Sequence, residues 1–161
     1  MKYISLFFLF GVLVVSTILS GCGAVASEPI IPLKADEMQA DLNPGGSFDA
    51  TNTTANAGSG SYHVHASMAN DSVVIDLNFT QQSILPYTVH TDSISTDLNY
   101  INYCITQSSG CKNYHSTLNS GSITISSVSP TVQGTFSGTL TLTNGGSKVT
   151  ISNGAFNAVI Q

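Results

Sequence analysis

The sequence predicts an all-β domain, an antiparallel meander folded into a β-sandwich or a partly closed barrel of about nine or ten short strands. Three observations lead there. From Glu37 onward apolar and polar residues alternate with period two, and no window keeps a helical period. The alternating runs are bounded at short intervals by Gly, Asn, Ser and Pro, the residues of tight turns. Polarity comes mostly from Ser, Thr and Asn, with charged residues only 8% of the chain. Strand spacing of this kind suits a sandwich and a barrel equally, and periodicity does not separate them.

Met38, Ala40 and Leu42 alternate, Asn43-Pro44-Gly45-Gly46 turns the chain, and Phe48 and Ala50 resume the pattern. Tyr62, Val64, Ala66 and Met68 share one face of the next predicted strand, and Val73, Ile75, Leu77 and Phe79 share one face of the strand after it. If both faces enter one core, Met68 opposes Val73 and Ala66 opposes Ile75. His65 then stands opposite Asp76, and His63 opposite Asn78, on the outer face. A one-residue slip would turn every apolar side chain outward, so the register carries energetic weight. Further strands are expected near residues 87–91, 98–105, 113–118 and 122–128.

Near the end, Phe136, Leu140 and Leu142 face inward while Thr135, Ser137, Thr139 and Thr141 face outward. With Asn144-Gly145-Gly146-Ser147 as the turn, Leu142 is expected opposite Val149 and Leu140 opposite Ile151. The inward parity changes between Ile151 and Phe156, which places a bulge at Asn153-Gly154.

The first residues have a different character. Lys2 precedes an apolar run over residues 4–19 that ends in small residues, the layout of a secretory leader. It closes on Leu19-Ser20-Gly21-Cys22, which resembles the lipobox of bacterial lipoproteins at all four positions. That resemblance implies cleavage after residue 21, diacylglycerol on the Cys22 sulfur and usually a third acyl chain, such as palmitate, on the new amino terminus. At ~0.8 kcal/mol per buried CH₂, three long chains hold a protein on a bilayer essentially permanently. Gly23, where an Asp would resemble an inner-membrane retention signal, favours the outer membrane, and no acidic cluster follows Cys22. The expected address is the outer membrane with the domain facing the periplasm. The expected organisation is a signal peptide at 1–21, a lipidated tether at 22–36 carrying Pro29 and Pro32, and a single all-β domain at 37–161.

Charge limits the partners. The chain contains four Lys, no Arg and nine acidic residues. Once Lys2 is removed with the leader, three Lys against nine acids leave the exported part at −6. Such a chain has little with which to neutralise phosphates, so nucleic acid is not an expected partner. The expected partners are the membrane through the lipid and either a neutral glycan or another envelope protein.

With Cys22 lipidated, Cys104 and Cys111 are left as a pair in an oxidising compartment, where a disulfide is expected. A hairpin that sets them opposite one another brings Tyr103 opposite Lys112 and Ile101 opposite Tyr114. The alternative is a zinc site of Cys104, Cys111 and His115, although the spacing lacks a Cys-x₂₋₄-Cys knuckle. A redox-active pair would want Cys-x-x-Cys, which is missing.

His63 and His65 lie two apart on one strand, so both rings leave the same face near Asp76. That is one way to build a surface metal site, with His90 or His115 as a further ligand. Imidazoles on a strand can equally serve only to solvate it. Tyr62, Tyr87, Tyr100, Tyr103 and Tyr114 could form a carbohydrate-stacking platform or simply line a strand rim. Asp71-Ser72-Val73 and Asp92-Ser93-Ile94 resemble acceptors of periplasmic O-glycosylation. The acids are scattered, no Gly-x-Ser-x-Gly elbow occurs, and the glycine pairs precede no helix. No catalytic residue and no cofactor is therefore expected.

Two stretches also carry a family resemblance. The first is Met38-Gln39-Ala40-Asp41-Leu42-Asn43 followed by Gly46, Phe48 and Ala50. The second is Gly121-Ser122-Ile123-Thr124-Ile125, Gly134-Thr135-Phe136-Ser137-Gly138, and Val149-Thr150-Ile151-Ser152-Asn153-Gly154-Ala155-Phe156. Together they resemble a family of small uncharacterised bacterial lipoproteins sharing a domain of unknown function. The resemblance implies a β-rich domain behind a lipoprotein leader and lends no activity. The functional expectation is a non-enzymatic, membrane-anchored binding or envelope-structural module. The alternatives are a small periplasmic hydrolase of glycans or peptides, which needs a His with an acid or Ser in one concave pocket, and a lipocalin-like carrier, which needs an open apolar interior.

Overall fold

The computed structural model describes residues 32–68, 71–92 and 98–161. The expected leader, the expected lipid-bearing Cys22, most of the expected tether and Ser93 lie outside them. Eleven strands form one sheet, so the chain is all-β. They are β1 (Glu37–Asn43), β2 (Gly46–Ala50), β3 (Thr53–Ala57), β4 (Ser61–Ser67), β5 (Val73–Thr80) and β6 (Tyr87–His90). The chain continues with β7 (Tyr100–Gln107), β8 (Gly110–His115), β9 (Gly121–Ser127), β10 (Thr131–Leu142) and β11 (Lys148–Ile160). The strand that periodicity does not announce is β3. Its five residues are Thr, Ala and Asn, and Ala55 is its only buried apolar side chain.

The strand order is β2-β1-β11-β3-β4-β5-β7-β8-β10-β9-β6, and β10 also pairs with β11. The pairings therefore close a ring through β3, β4, β5, β7, β8, β10 and β11. Length explains how. The final two strands have 12 and 13 residues, and each reaches two further neighbours along its outer edge. β10 pairs with β9 over residues 133–138 and with β8 at Thr141 and Leu142. β11 pairs with β1 over residues 150–157 and, in parallel, with β3 at Val159 and Ile160. Apart from that last contact every pairing is antiparallel.

The strands thus fall into a layer of β3-β4-β5-β7-β8 and a layer of β2-β1-β11-β10-β9-β6, with one core between them. Phe79 of β5 lies 6.2 Å from Phe156 of β11, and Phe156 lies 6.3 Å from Phe136 of β10 (ring centroids). Ile101 of β7 packs over Gly121 and Gly138. Met38, Phe48, Phe79, Ile101, Ile123 and Phe156 are all less than about 2% exposed. The interior at this level is occupied by side chains, whereas a lipocalin-like carrier depends on open space there.

Two glycines are dictated by close approach. Gly134 pairs with Phe156, and Phe136 pairs with Gly154, so each ring lies over the glycine of the facing strand. A Cβ on Gly134 would fall on the Thr124 carbonyl oxygen and 2.8 Å from the Phe156 ring. A Cβ on Gly154 would lie 2.5 Å from the Phe136 carbonyl oxygen.

The bulge lies where parity placed it. Ser152 and Asn153 stand against the single residue Ser137, and Asn153 adopts a positive φ of 51°. Asn tolerates that region better than most residues, and here its Nδ2 donates to Asp41 Oδ2 at 2.8 Å. A bulge increases local bend and twist, which suits a strand that leaves β1 and finishes on β3.

The predicted β4–β5 register holds: Ala66 faces Ile75, His65 faces Asp76, His63 faces Asn78, and Met68 N donates to the Val73 carbonyl. Two other registers need correction, each by two residues. In the closing hairpin Leu140, not Leu142, faces Val149, and Gly138, not Leu140, faces Ile151. The ladder runs on to Thr141↔Lys148, and the Leu142 N–H donates to the Ser147 carbonyl. In the other hairpin Tyr103 faces Tyr114 and Ile105 faces Lys112, in place of Tyr103–Lys112 and Ile101–Tyr114. A slip of two keeps every side chain on its own face, so burial is indifferent to it. Backbone hydrogen bonds near the turn decide.

The Tyr103 and Tyr114 rings pack in the core with centroids 5.7 Å apart and planes tilted by 37°. Burial, and then the neighbouring Tyr114 hydroxyl, push the Tyr103 hydroxyl above its ordinary value of 10.0. The folded state therefore holds this proton more tightly than the unfolded chain. Its contribution to stability is complete below about pH 10 and is lost as pH rises through the raised folded value. Tyr103→Phe is expected to flatten the fall in stability above about pH 10, measured by urea unfolding between pH 8 and 11. Equal slopes in parent and variant would contradict this.

Candidate functional site

The outer face of the β3-β4-β5-β7-β8 layer carries the polar residues that the sequence singles out. Register builds a row across it: Thr54 faces His65, His65 faces Asp76, Asp76 faces Asn102, and Asn102 faces His115. A second row sets His63 beside Asn78 and Asn78 beside Tyr100. Alternation puts Val64, Ile75, Leu77 and Ile101 on the buried face, so packing of the core holds the opposite side chains in place.

The rows converge at Asp76. His65 Nδ1 donates to Asp76 Oδ1 at 2.7 Å, and His63 Nε2 lies 3.6 Å from the same oxygen. The carboxylate is 19% exposed, while the two rings are 39% and 41% exposed. Among the described residues these imidazoles are its ionic partners, with no Lys within range. One row-mate stands out: Asn102 Oδ1 is buried without a hydrogen-bond partner. Nothing in the sequence pattern marks Asn102, because its importance comes from being placed against Asp76 by a strand far along the chain.

The other predicted residues are distributed differently. His115 is two strands from Asp76, about 10 Å at the usual strand spacing, and His90 is on β6 in the other layer. Neither joins the His63–His65–Asp76 group as a further ligand. Cys104 and Cys111 form a disulfide, as expected, with Cα atoms 5.8 Å apart. They are not opposite one another: Cys104 faces Asn113 and Cys111 faces Thr106, so the bond runs diagonally. Closing so short a loop contributes about 2–3 kcal/mol by loop-closure entropy. The sulfurs are thereby committed, which removes the zinc alternative with His115.

The tyrosine platform is corrected too. Tyr62, Tyr87, Tyr103 and Tyr114 are each 7% exposed or less, buried in the core, so they present no stacking surface. Ser72 is exposed in the β4–β5 connection, beside Asp71 with its positive φ of 53°. A cleft of about 330 Å³ opens between the tips of the β7–β8 and β10–β11 hairpins, lined by Lys112, Asn113 and Thr143 among others. No acid and no His lines it. The cleft and the His–Asp pair are therefore in different places.

The model of a protein family described as a domain of unknown function, DUF6252, matches residues 35–160. The chain belongs to the DUF6252 family. No curated protein and no solved structure matches it. The DUF6252 match starts two residues before β1 and ends on the last residue of β11, so the family unit takes in every strand of the closed sheet. Both stretches that carried the resemblance fall inside it. The opening one is the β1–β2 hairpin, and the closing one supplies β9, β10 and the bulged β11.

Proposed function

We propose that this DUF6252 chain is a lipid-anchored protein of the bacterial outer membrane, and that its domain is a non-enzymatic binding or envelope-structural module facing the periplasm. The observation that carries the address is Leu19-Ser20-Gly21-Cys22 at the end of the apolar run behind Lys2. The disulfide supports export, because such bonds persist outside the reducing cytoplasm. Low charge and a surface rich in Ser, Thr and Asn suit a neutral partner, whether glycan or protein. The polar face of β4, β5, β7 and β8 is the surface on which recognition would be built, since its side chains are held by the core beneath them.

The test is partitioning between detergent and aqueous phases, with mass spectrometry of the N-terminal peptide. The wild-type chain is expected in the detergent phase with Cys22 as a diacylated, usually triacylated, first residue. Cys22→Ser is expected to leave the leader uncleaved or to give unacylated protein. An unmodified peptide beginning at Cys22, or an intact leader on the wild-type chain, overturns the proposal.

A further inference from the structure

We infer that His63, His65 and Asp76 form a binding site for a divalent late transition ion, of the zinc or copper class. This goes beyond the anchored-module reading and does not depend on the anchor. Both imidazoles face the single oxygen Asp76 Oδ1, at 2.7 Å from His65 Nδ1 and 3.6 Å from His63 Nε2. They arrive by register alone, two from one face of β4 and the third from the position directly opposite His65 on β5.

Metal–ligand distances of about 2.0–2.2 Å put neighbouring tetrahedral ligands roughly 3.3 Å apart. The observed separations bracket that value. Among the described residues no three donors stand as a finished metal cage, and at 2.7 Å His65 and Asp76 are closer than two ligands of one ion. Entry of the metal requires His65 to give up that bond and open by about half an ångström, with its remaining proton on Nε2. Rings about 40% exposed have room for this movement.

Charge points the same way. Asp76 is a mostly covered carboxylate with no Lys in range, in a chain that has no Arg, so a cation there meets no competitor. Two imidazoles and one carboxylate favour zinc or copper over calcium or magnesium, which prefer all-oxygen shells. Three protein ligands leave a position for water. In the same row Asn102 Oδ1 is buried without a donor, and a metal-held water would supply one.

The experiment is isothermal titration of the untagged full chain in detergent with zinc chloride and, separately, copper(II) chloride. The expected result is saturable binding at about one ion per chain, with calcium and magnesium giving no saturable heat. Asp76→Asn and His65→Gln should each weaken binding by at least about tenfold. His63→Gln should do the same, and it keeps the test open if His65→Gln perturbs the sheet, because His63 gives up no short hydrogen bond. His90→Gln and His115→Gln should leave the affinity unchanged, with near-ultraviolet circular dichroism confirming the fold of each variant. Absence of saturable binding, unchanged affinity in Asp76→Asn, or loss only in His90→Gln or His115→Gln overturns the inference. A chain that binds zinc while Cys22 proves unmodified would remove the anchor and leave this site standing.

Discussion

Gly134→Ala is expected to cost more than about 3 kcal/mol, a large share of the roughly 5–15 kcal/mol that holds a domain folded. The added methyl meets groups that cannot yield. On one side is the Thr124 carbonyl, part of the β9–β10 ladder, and on the other is the Phe156 ring at 2.8 Å. A side-chain clash alone would be relieved by a rotamer change, at the 1–3 kcal/mol typical of overpacking. Backbone on backbone offers no such escape, because β10 is hydrogen-bonded at this level to β9 and β11 together. Urea unfolding followed by circular dichroism measures the effect. A loss below about 1 kcal/mol would show that β9 and β10 can separate here without penalty.

The second large effect is expected from Phe156→Ala, at about 3–5 kcal/mol. Phe156 is 2% exposed, touches Phe79 across the core and Phe136 beside it, and covers Gly134. Its removal opens a cavity exactly where the two layers meet, and the glycines around it have no side chains with which to fill the space. The same urea titration reads the loss, and a value near 1 kcal/mol would mean that the layers collapse onto the gap. The pair also makes a sharper comparison. Because the Thr124 carbonyl obstructs a methyl at position 134 whatever stands at 156, the double variant should not recover the stability lost in Gly134→Ala. Recovery would mean that the ring alone was the obstacle.

How much of this was legible in the sequence depends on which physical quantity each feature answers to. Faces answer to burial, so Tyr62, Val64, Ala66 against Ile75, Leu77, Phe79 could be read directly, and the change of parity between Ile151 and Phe156 exposed the bulge. Registers answer also to turn hydrogen bonds, to which burial is blind at even steps, and both hairpin errors were slips of two. β3 answers to neither. Thr53–Ala57 is a strand because β4 pairs with it along its whole length and Val159 and Ile160 cover its other edge, the second a pairing across about a hundred residues of chain.

The candidate site divides along similar lines. His63, His65 and Asp76 were legible because a single hairpin register brings them together. Asn102 reached the row only through β7, beyond the reach of local pattern. The tyrosines misled because Tyr has a body suited to a core and a tip suited to water, and composition does not say which will win. Tilted ring contacts of Tyr103 with Tyr114, and of Tyr62 with Phe79 at 5.8 Å, hold three of the five in the core, and burial places Tyr87 there as a fourth.

The last strand has a consequence for the order in which the molecule can be completed. β11 touches β1, β3 and β10 at once, and two of those three are made within the first sixty residues of synthesis. A chain synthesised from its amino end therefore presents β1 and β3 long before the segment that joins them has emerged. Hairpins such as β4–β5 can zip locally during synthesis, but the gap between β1 and β3 stays open until the carboxyl end is released. For such a protein closure is a post-release event with high contact order, and the early strands must be kept from pairing with strangers in the meantime.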